Sequence, residues 1–268
     1  MEILKTHDVV IIRYLISAMR DVPVTFAKNM QTTFIHPRLY DPSCPGPIRD
    51  MLAICQWQHK STGFRSNILL SSQLRQKSAE LYRLAKAAAT IEELLAYAQS
   101  LIIAQCILLF HCDNTQNNNE GSDDHVNFTT GMVTGLAQYI WQKAPVYVPQ
   151  ILSAWRAWLL AESIRRTIIM AHILCSTFSF KQRSYSVRTP FIEALPFDLR
   201  SSLWDASSEQ AWQQQASQEP LEMVSLREYS DMAVSGRATA ITYFGSVVLA
   251  ACKGVSVSSI YGNVEEVR

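Results

Sequence analysis

From Pro149 to Phe178 the chain carries no further proline or glycine, and its apolar residues recur at three- and four-residue steps. Proline in a first turn followed by that periodicity predicts one long helix over about 149–178. Its centre, WLLAESIRRTIIMAHIL (158–174), is apolar except where Glu162, Arg165 and Arg166 interrupt it. At helical spacing Trp155, Trp158, Glu162, one of the two arginines, Ile169 and Ile173 fall on one stripe. Glu162 and Arg166 stand at i, i+4 with the acid N-terminal, the favourable order for a helical pair. Three readings compete: a catalytic centre, a site for a charged ligand, or a structural ion pair. A single acid with no second acid or nucleophile beside it is a poor catalytic set, which favours the structural pair.

The rest of the chain reads the same way. Nine glycines in 268 residues leave little room for the tight turns that sheet-rich domains need. The expected fold is all-α, a single helical domain over 1–268 of roughly eight to ten helices around the long central one. Asp8 caps a first helix to about Met19, and the proline-rich stretch that follows, 23–47, is expected to be extended or turn structure. Pro47 suits the first turn of a helix to His59, and 66–89 forms a long amphipathic helix. Thr90 and Glu93 offer a capping box for an apolar helix to about Phe110. Residues 112–125, CDNTQNNNEGSDDH, are polar and of low complexity, and are expected to form a mobile surface loop. A helix over 131–143, irregular chain over 180–206, a helix capped near Ser207, and helices over about 223–235 and 238–253 stopped by Gly236 and Gly254 complete the reading.

Charge limits the functions open to such a chain. Lys plus Arg is 24 against 23 for Asp plus Glu, so no overall positive field holds a polyanion. Any contact with DNA is therefore expected to be indirect. The six cysteines, at 44, 55, 106, 112, 175 and 252, show no ligand or disulfide spacing and read as free thiols in a reducing compartment. The apolar N-terminal stretch holds Arg13 and has no basic leader, so a signal peptide is not expected. The runs 101–110 and 240–252 are shorter than the about 20 residues that cross a bilayer, so no membrane partner is expected.

Candidate chemistry is sparse. Asp123, Asp124, His125 and Asn127 form a DDxxD-like motif, which in an all-α chain raises the possibility of terpene cyclisation on a magnesium diphosphate. The second acidic-polar motif that this chemistry needs is missing, since Asp231 and Ser235 are followed by Thr239 and no Glu. The same segment lacks the glycine of a calcium loop, having Asn118 there. The histidines at 7, 36, 59, 111, 125 and 172 never pair at i, i+4, and His111, Cys112 and Asp113 are adjacent and point apart, so no metal is assigned. No phosphate-cradling loop, dinucleotide fingerprint or Gly-x-Ser-x-Gly elbow occurs, and no catalytic residue or cofactor is assigned. Lys181, Arg183 and Arg188 beside Phe180 and Tyr185 read as an exposed connection rather than a nucleic-acid contact. The glutamine-rich EQAWQQQASQ reads as a solvated helix anchored by Trp212.

Against this background the long helix resembles a specific pattern, W-x-x-W-x-x-x-E-S-x-R-R-T, filled by Trp155, Trp158, Glu162, Ser163, Arg165, Arg166 and Thr167. It looks like the helical regulatory region, the middle homology region, of fungal transcription factors, which follows a zinc-cluster or zinc-finger module. FIHPRLY (34–40), LLAYAQSLIIAQCILLF before the polar loop, and LPFDLRSSLWDASSEQAW (195–212) with Trp204 and Trp212 agree in order. The resemblance covers roughly residues 30–215. It implies a regulatory protein, not an enzyme, that controls a fungal secondary-metabolite gene cluster from the nucleus through a protein partner or as a homodimer. The six cysteines lack the ligand spacing of the zinc module, so direct DNA reading is not expected. Two other readings stay open: an α-helical enzyme acting on an isoprenoid or other apolar substrate, and a truncated regulator without function. Without the resemblance, a cytoplasmic protein is expected.

Overall fold

The computed structural model describes residues 3–60, 64–111, 121–144, 152–188, 190–218, 222–237 and 241–255, with the backbone alone at 64–68, 121–129 and a few segment ends. It is all-α with only short strands, as expected. Eleven helices occur among the described residues, two of them single turns.

Helix α1 (Val9–Asn29) begins where Asp8 accepts the Val10 N–H at 2.7 Å. It does not stop near Met19. Pro23 lies inside it, and although proline forfeits an intrahelical hydrogen bond, Leu15, Met19, Val22 and Phe26 continue one buried stripe across it. Burial of that stripe outweighs the local preference that predicted extended chain. Helices α2 (Gly46–Lys60) and α3 (Phe64–Lys86) follow. The Thr90 hydroxyl caps α4 (Ile91–Phe110) through the Glu93 N–H at 3.1 Å, while the Glu93 carboxylate accepts from Ala89, one residue before the expected amide.

Helix α4 is apolar on every side. Fifteen of its twenty residues are buried, because α1, α2, α3, α5 and α6 all pack against it. At 20 residues and a mean hydropathy of 1.7 it is long and apolar enough to cross a membrane, beyond the run counted from sequence. Here the protein's own helices cover it instead.

Helix α5 spans Gly121–Lys143, so residues 121–125 of the expected loop are its first turn, while 112–120 lie outside the described residues. The long helix α6 spans Ala154–Arg183, capped by Ser153 and closed by Ser184 in the left-handed region at φ 63°. It starts five residues later than the expected Pro149, because Ser153, in extended conformation, supplies the cap, and Pro149 itself lies outside the described residues. It packs against α1, α4, α5 and α11, which makes it the central element.

The stretch 180–206 is more ordered than expected. Strand β2 (Tyr185–Arg188) pairs antiparallel with β1 (Ile3–Thr6), and the one-turn helix α7 (Pro190–Glu193) follows. The Glu193 carboxylate of α7 pairs with the Lys5 ammonium of β1. Strand β3 (Pro196–Asp198) pairs with β4 (Met223–Ser225), with the one-turn α8 (Ser201–Trp204) and α9 (Glu209–Ala216) between them. A full capping box forms at Ser225 and Glu228 to start α10 (Leu226–Val234). Helix α11 (Tyr243–Lys253) ends at Gly254, whose φ of 67° is the left-handed cap anticipated from the sequence.

Helices α10 and α11 meet at Gly245, where a Cβ would lie closer to the Tyr229 hydroxyl than van der Waals contact allows. Alanine is the better helix former by about 1 kcal/mol, yet forcing a methyl into this contact costs about 1–3 kcal/mol. Gly245→Ala is therefore expected to lower the midpoint of urea unfolding, despite its higher propensity.

Candidate functional site

Two stretches distant in sequence, FIHPRLY and LPFDLRSSLW, converge on the middle of α6, the helix that carries Trp155 and Trp158. The Glu162 carboxylate is fully buried. It accepts from Arg165 Nε at 2.9 Å, from Arg166 Nε at 2.9 Å, and from the backbone N–H of Asp198 at 3.2 Å. The two arginines are unequal. Arg166 is buried, whereas Arg165 stays half-buried and reaches Glu162 from the solvent side.

Asp198 extends the network. Its carboxylate accepts from Arg200 Nε at 3.0 Å and Nη2 at 2.8 Å, the two-pronged geometry that suits a guanidinium. The indole N–H of Trp158 donates to the same carboxylate at 2.8 Å. Burial by itself raises the pKa of Asp198, but the hydrogen bonds from Arg200 and Trp158 outweigh it and hold the carboxyl below its ordinary range. The β3–β4 pairing fixes the backbone that presents the Asp198 N–H, with Phe197 opposite Val224 and Asp198 opposite Met223.

Arg166 is sandwiched between aromatic rings, its guanidinium carbon 4.0 Å from the Trp204 centroid and 4.6 Å from that of Phe244. Its Nη1 donates to the Thr33 carbonyl at 3.4 Å. Burial lowers its pKa against the opposing pull of Glu162, although it starts high enough that an arginine stays charged at neutral pH. His36, from FIHPRLY, packs edge-on to Trp204 with centroids 5.5 Å apart and to Trp155 at 6.5 Å. Its Nδ1 accepts the Arg38 N–H at 3.0 Å, so the proton of the neutral ring belongs on Nε2, which faces the backbone of Ala206 and Trp204. Burial, reinforced by the nearby Arg166 charge, lowers the His36 pKa to about 4.

Of the residues singled out from sequence, Trp155, Glu162, Arg166 and Trp204 meet in this buried centre, while Trp158 and Trp212 pack on each other at 5.9 Å beside it. Sequence reasoning did not single out His36, Asp198 or Arg200, although all three lie in stretches quoted for the resemblance. It also missed Gln99 on α4. Gln99 donates to the Phe34 carbonyl at 3.0 Å and to the Thr167 hydroxyl at 3.1 Å, and accepts from Tyr40 at 2.7 Å. Arg156, another unflagged residue, donates to the carbonyls of Leu39 at 3.2 Å and Asp41 at 2.8 Å.

The arrangement holds segments together and offers no nucleophile with its base. Asp123, Asp124, His125 and Asn127 fall in the first turns of α5, and their side chains lie outside the described residues, as does Cys112. No cluster of three or more His, Cys, Asp or Glu suited to a metal occurs among the described residues. Cys44, Cys55, Cys106, Cys175 and Cys252 are free thiols, and burial raises the pKa of Cys55 and Cys175 to about 12. His111 Nε2 donates to the Arg20 carbonyl at 2.9 Å. The expected basic connection is partly engaged within the fold, since Lys181 donates to the Leu109 carbonyl near the end of α4 at 2.8 Å.

Two consequences are measurable. Glu162→Ala strands Arg166 in the core, and losing one partner of a buried pair costs about 3–5 kcal/mol, a loss readable as a lowered midpoint in urea unfolding. The second concerns pH. The unfolded chain protonates His36 below its ordinary pKa of 6.5 and the folded one only below about 4. Unfolding therefore takes up a proton in that window, and the stability contributed by neutral His36 is complete above pH 6.5 and lost as pH falls toward 4. The loss amounts to roughly 3 kcal/mol at about 1.4 kcal/mol per pKa unit, and in His36→Asn, unfolding curves across this range should show a shallower pH dependence.

Comparison with known proteins agrees with the resemblance at a coarse level. The chain is 24% identical over 256 residues to the transcription factor gsfR2 of Penicillium aethiopicum, across 92% of this chain and 61% of that protein. It thus spans about three fifths of the length of the curated relative it matches. No family model and no solved structure matches it. In sequence the chain is similar to a fungal transcription factor.

Proposed function

We propose that this chain is a transcription-regulatory protein of the fungal transcription-factor kind, not an enzyme, and that it controls a secondary-metabolite gene cluster. The observation that carries the reading is the similarity to gsfR2 across nearly the whole chain. The meeting of three of the four resemblance stretches at one buried ion network supports it, because they act there as one structural unit rather than as scattered likenesses. A rigid polar centre without a catalytic set suits a module that works by contacts.

The regulator acts in the nucleus and reaches DNA through a protein partner or a second copy of itself. A formal net charge of +1 and cysteines without ligand spacing support indirect rather than direct DNA contact. An exposed aromatic pair, Trp141 on α5 against Phe191 on α7 with centroids 5.3 Å apart, offers an apolar contact face.

Deleting the gene is expected to change transcript levels of a set of clustered biosynthetic genes under conditions where it is expressed. Restoring the wild-type gene should reverse that change, and an unchanged transcript profile would sink the proposal.

A further inference from the structure

Beside the ion network, α1, the chain after it, α6, α8 and the start of α11 enclose an open cavity of about 530 Å³. That volume lies within the range of small-molecule sites, roughly 300–1,000 Å³. One part of its wall is apolar and aromatic: Met19 and Val22 from α1, Met170 from α6, Trp204 from α8, Phe244 and Val247 from α11, all buried. More than half of the lining residues are polar, chiefly threonines at 25, 32, 33 and 242 together with Gln31 and Ser201. Arg166 lines the cavity, and its bonds to Glu162 and the Thr33 carbonyl engage two of the five N–H donors of a guanidinium. The remaining donors have no protein acceptor among the described residues. The Thr33 hydroxyl, on another lining residue, is buried and has no hydrogen-bond partner among them either. At the mouth stand two exposed carboxylates, Asp21 and Asp205, and Asp21 accepts from the Tyr243 hydroxyl at 3.4 Å.

We propose that this cavity binds an uncharged aromatic small molecule that carries a carbonyl oxygen and a hydroxyl or amide donor. The aromatic part packs against Tyr243 and the apolar side chains of Met19, Val22, Met170 and Val247, because the Arg166 guanidinium already fills the space between Trp204 and Phe244. The carbonyl takes the unfilled donors of Arg166, which the protein has already desolvated and oriented through Glu162. The donor faces the carboxylates at the mouth. Those carboxylates also set the charge selectivity, since they repel an anion whose only cationic partner, Arg166, is already paired with Glu162. The site stands apart from the regulatory reading, because it is defined by the cavity and is tested on purified protein.

The test uses 4-(hydroxymethyl)benzophenone, which is neutral, has both required groups and cross-links to adjacent C–H bonds on irradiation. Saturable labelling at sub-millimolar concentration is expected on peptides holding residues 18–25, 166–170 or 242–247. The anionic analogue 4-benzoylbenzoic acid should label these peptides at least several-fold less. Thr25→Trp, at an exposed lining position, and Ser201→Trp, on the facing side, should each cut labelling about tenfold while leaving the thermal midpoint near that of the wild type. Should one of them unfold, the other decides. Absent or unsaturable labelling, labelling confined to other peptides, equal labelling by the anion, or full labelling of a folded blocking variant would each overturn the proposal.

Discussion

Burying one carboxylate sets the terms for the whole structure. Glu162 has no exposure, so its charge must be met inside the protein, and an unpaired ion there is too costly for a domain of ordinary stability. Its own helix supplies two guanidiniums and the β3–β4 ribbon supplies an amide. Each partner carries the constraint outward. Arg166 binds the segment after α1, α8 and α11 through Thr33, Trp204 and Phe244. The Asp198 amide ties in a second acid whose partners are Arg200 and Trp158. Irregular chain is thereby tied to the central helix.

Polar pairing of this kind also constrains register. Apolar contacts are non-directional and tolerate a shifted segment, whereas a buried ion network and the Gln99 hydrogen bonds do not, because a displaced partner leaves a desolvated group unmet. The FIHPRLY segment has few backbone bonds of its own, and its placement rests on Gln99, Arg156 and the packing of His36 between two tryptophans. The same network orients Arg166 at the wall of the cavity, so one device serves both architecture and the proposed site.

Much of the fold was legible in the sequence, and the failures share a cause. Asp8, Thr90, Ser208 and Gly254 mark helix ends through hydrogen bonds a few residues long, and those ends appeared where expected to within a residue or two. Pro23 and the polar 121–125 misled, since a local breaker or polar tract reveals nothing of the stripe or neighbours that carry a helix through it. The strands over 185–188 and 196–198 were missed because their partners, Ile3–Thr6 and Met223–Ser225, lie far away in the chain. Trp158, expected on the same stripe as Glu162, is only half-buried and finds its role through the Asp198 carboxylate.

By itself, then, the sequence determined that the longer helices exist, several of their caps, and the i, i+4 pairing of Glu162 with Arg166, because periodicity and capping act over one or two turns. Only the tertiary structure decided that this pair is buried, that Asp198 and Arg200 complete it, that His36 stays neutral beside it, and that Arg166 is left with donors facing a cavity. The physical reason is range. Burial and charge compensation depend on groups brought from Thr33, Asp198, Trp204 and Phe244, and no local pattern in the chain encodes where those segments meet.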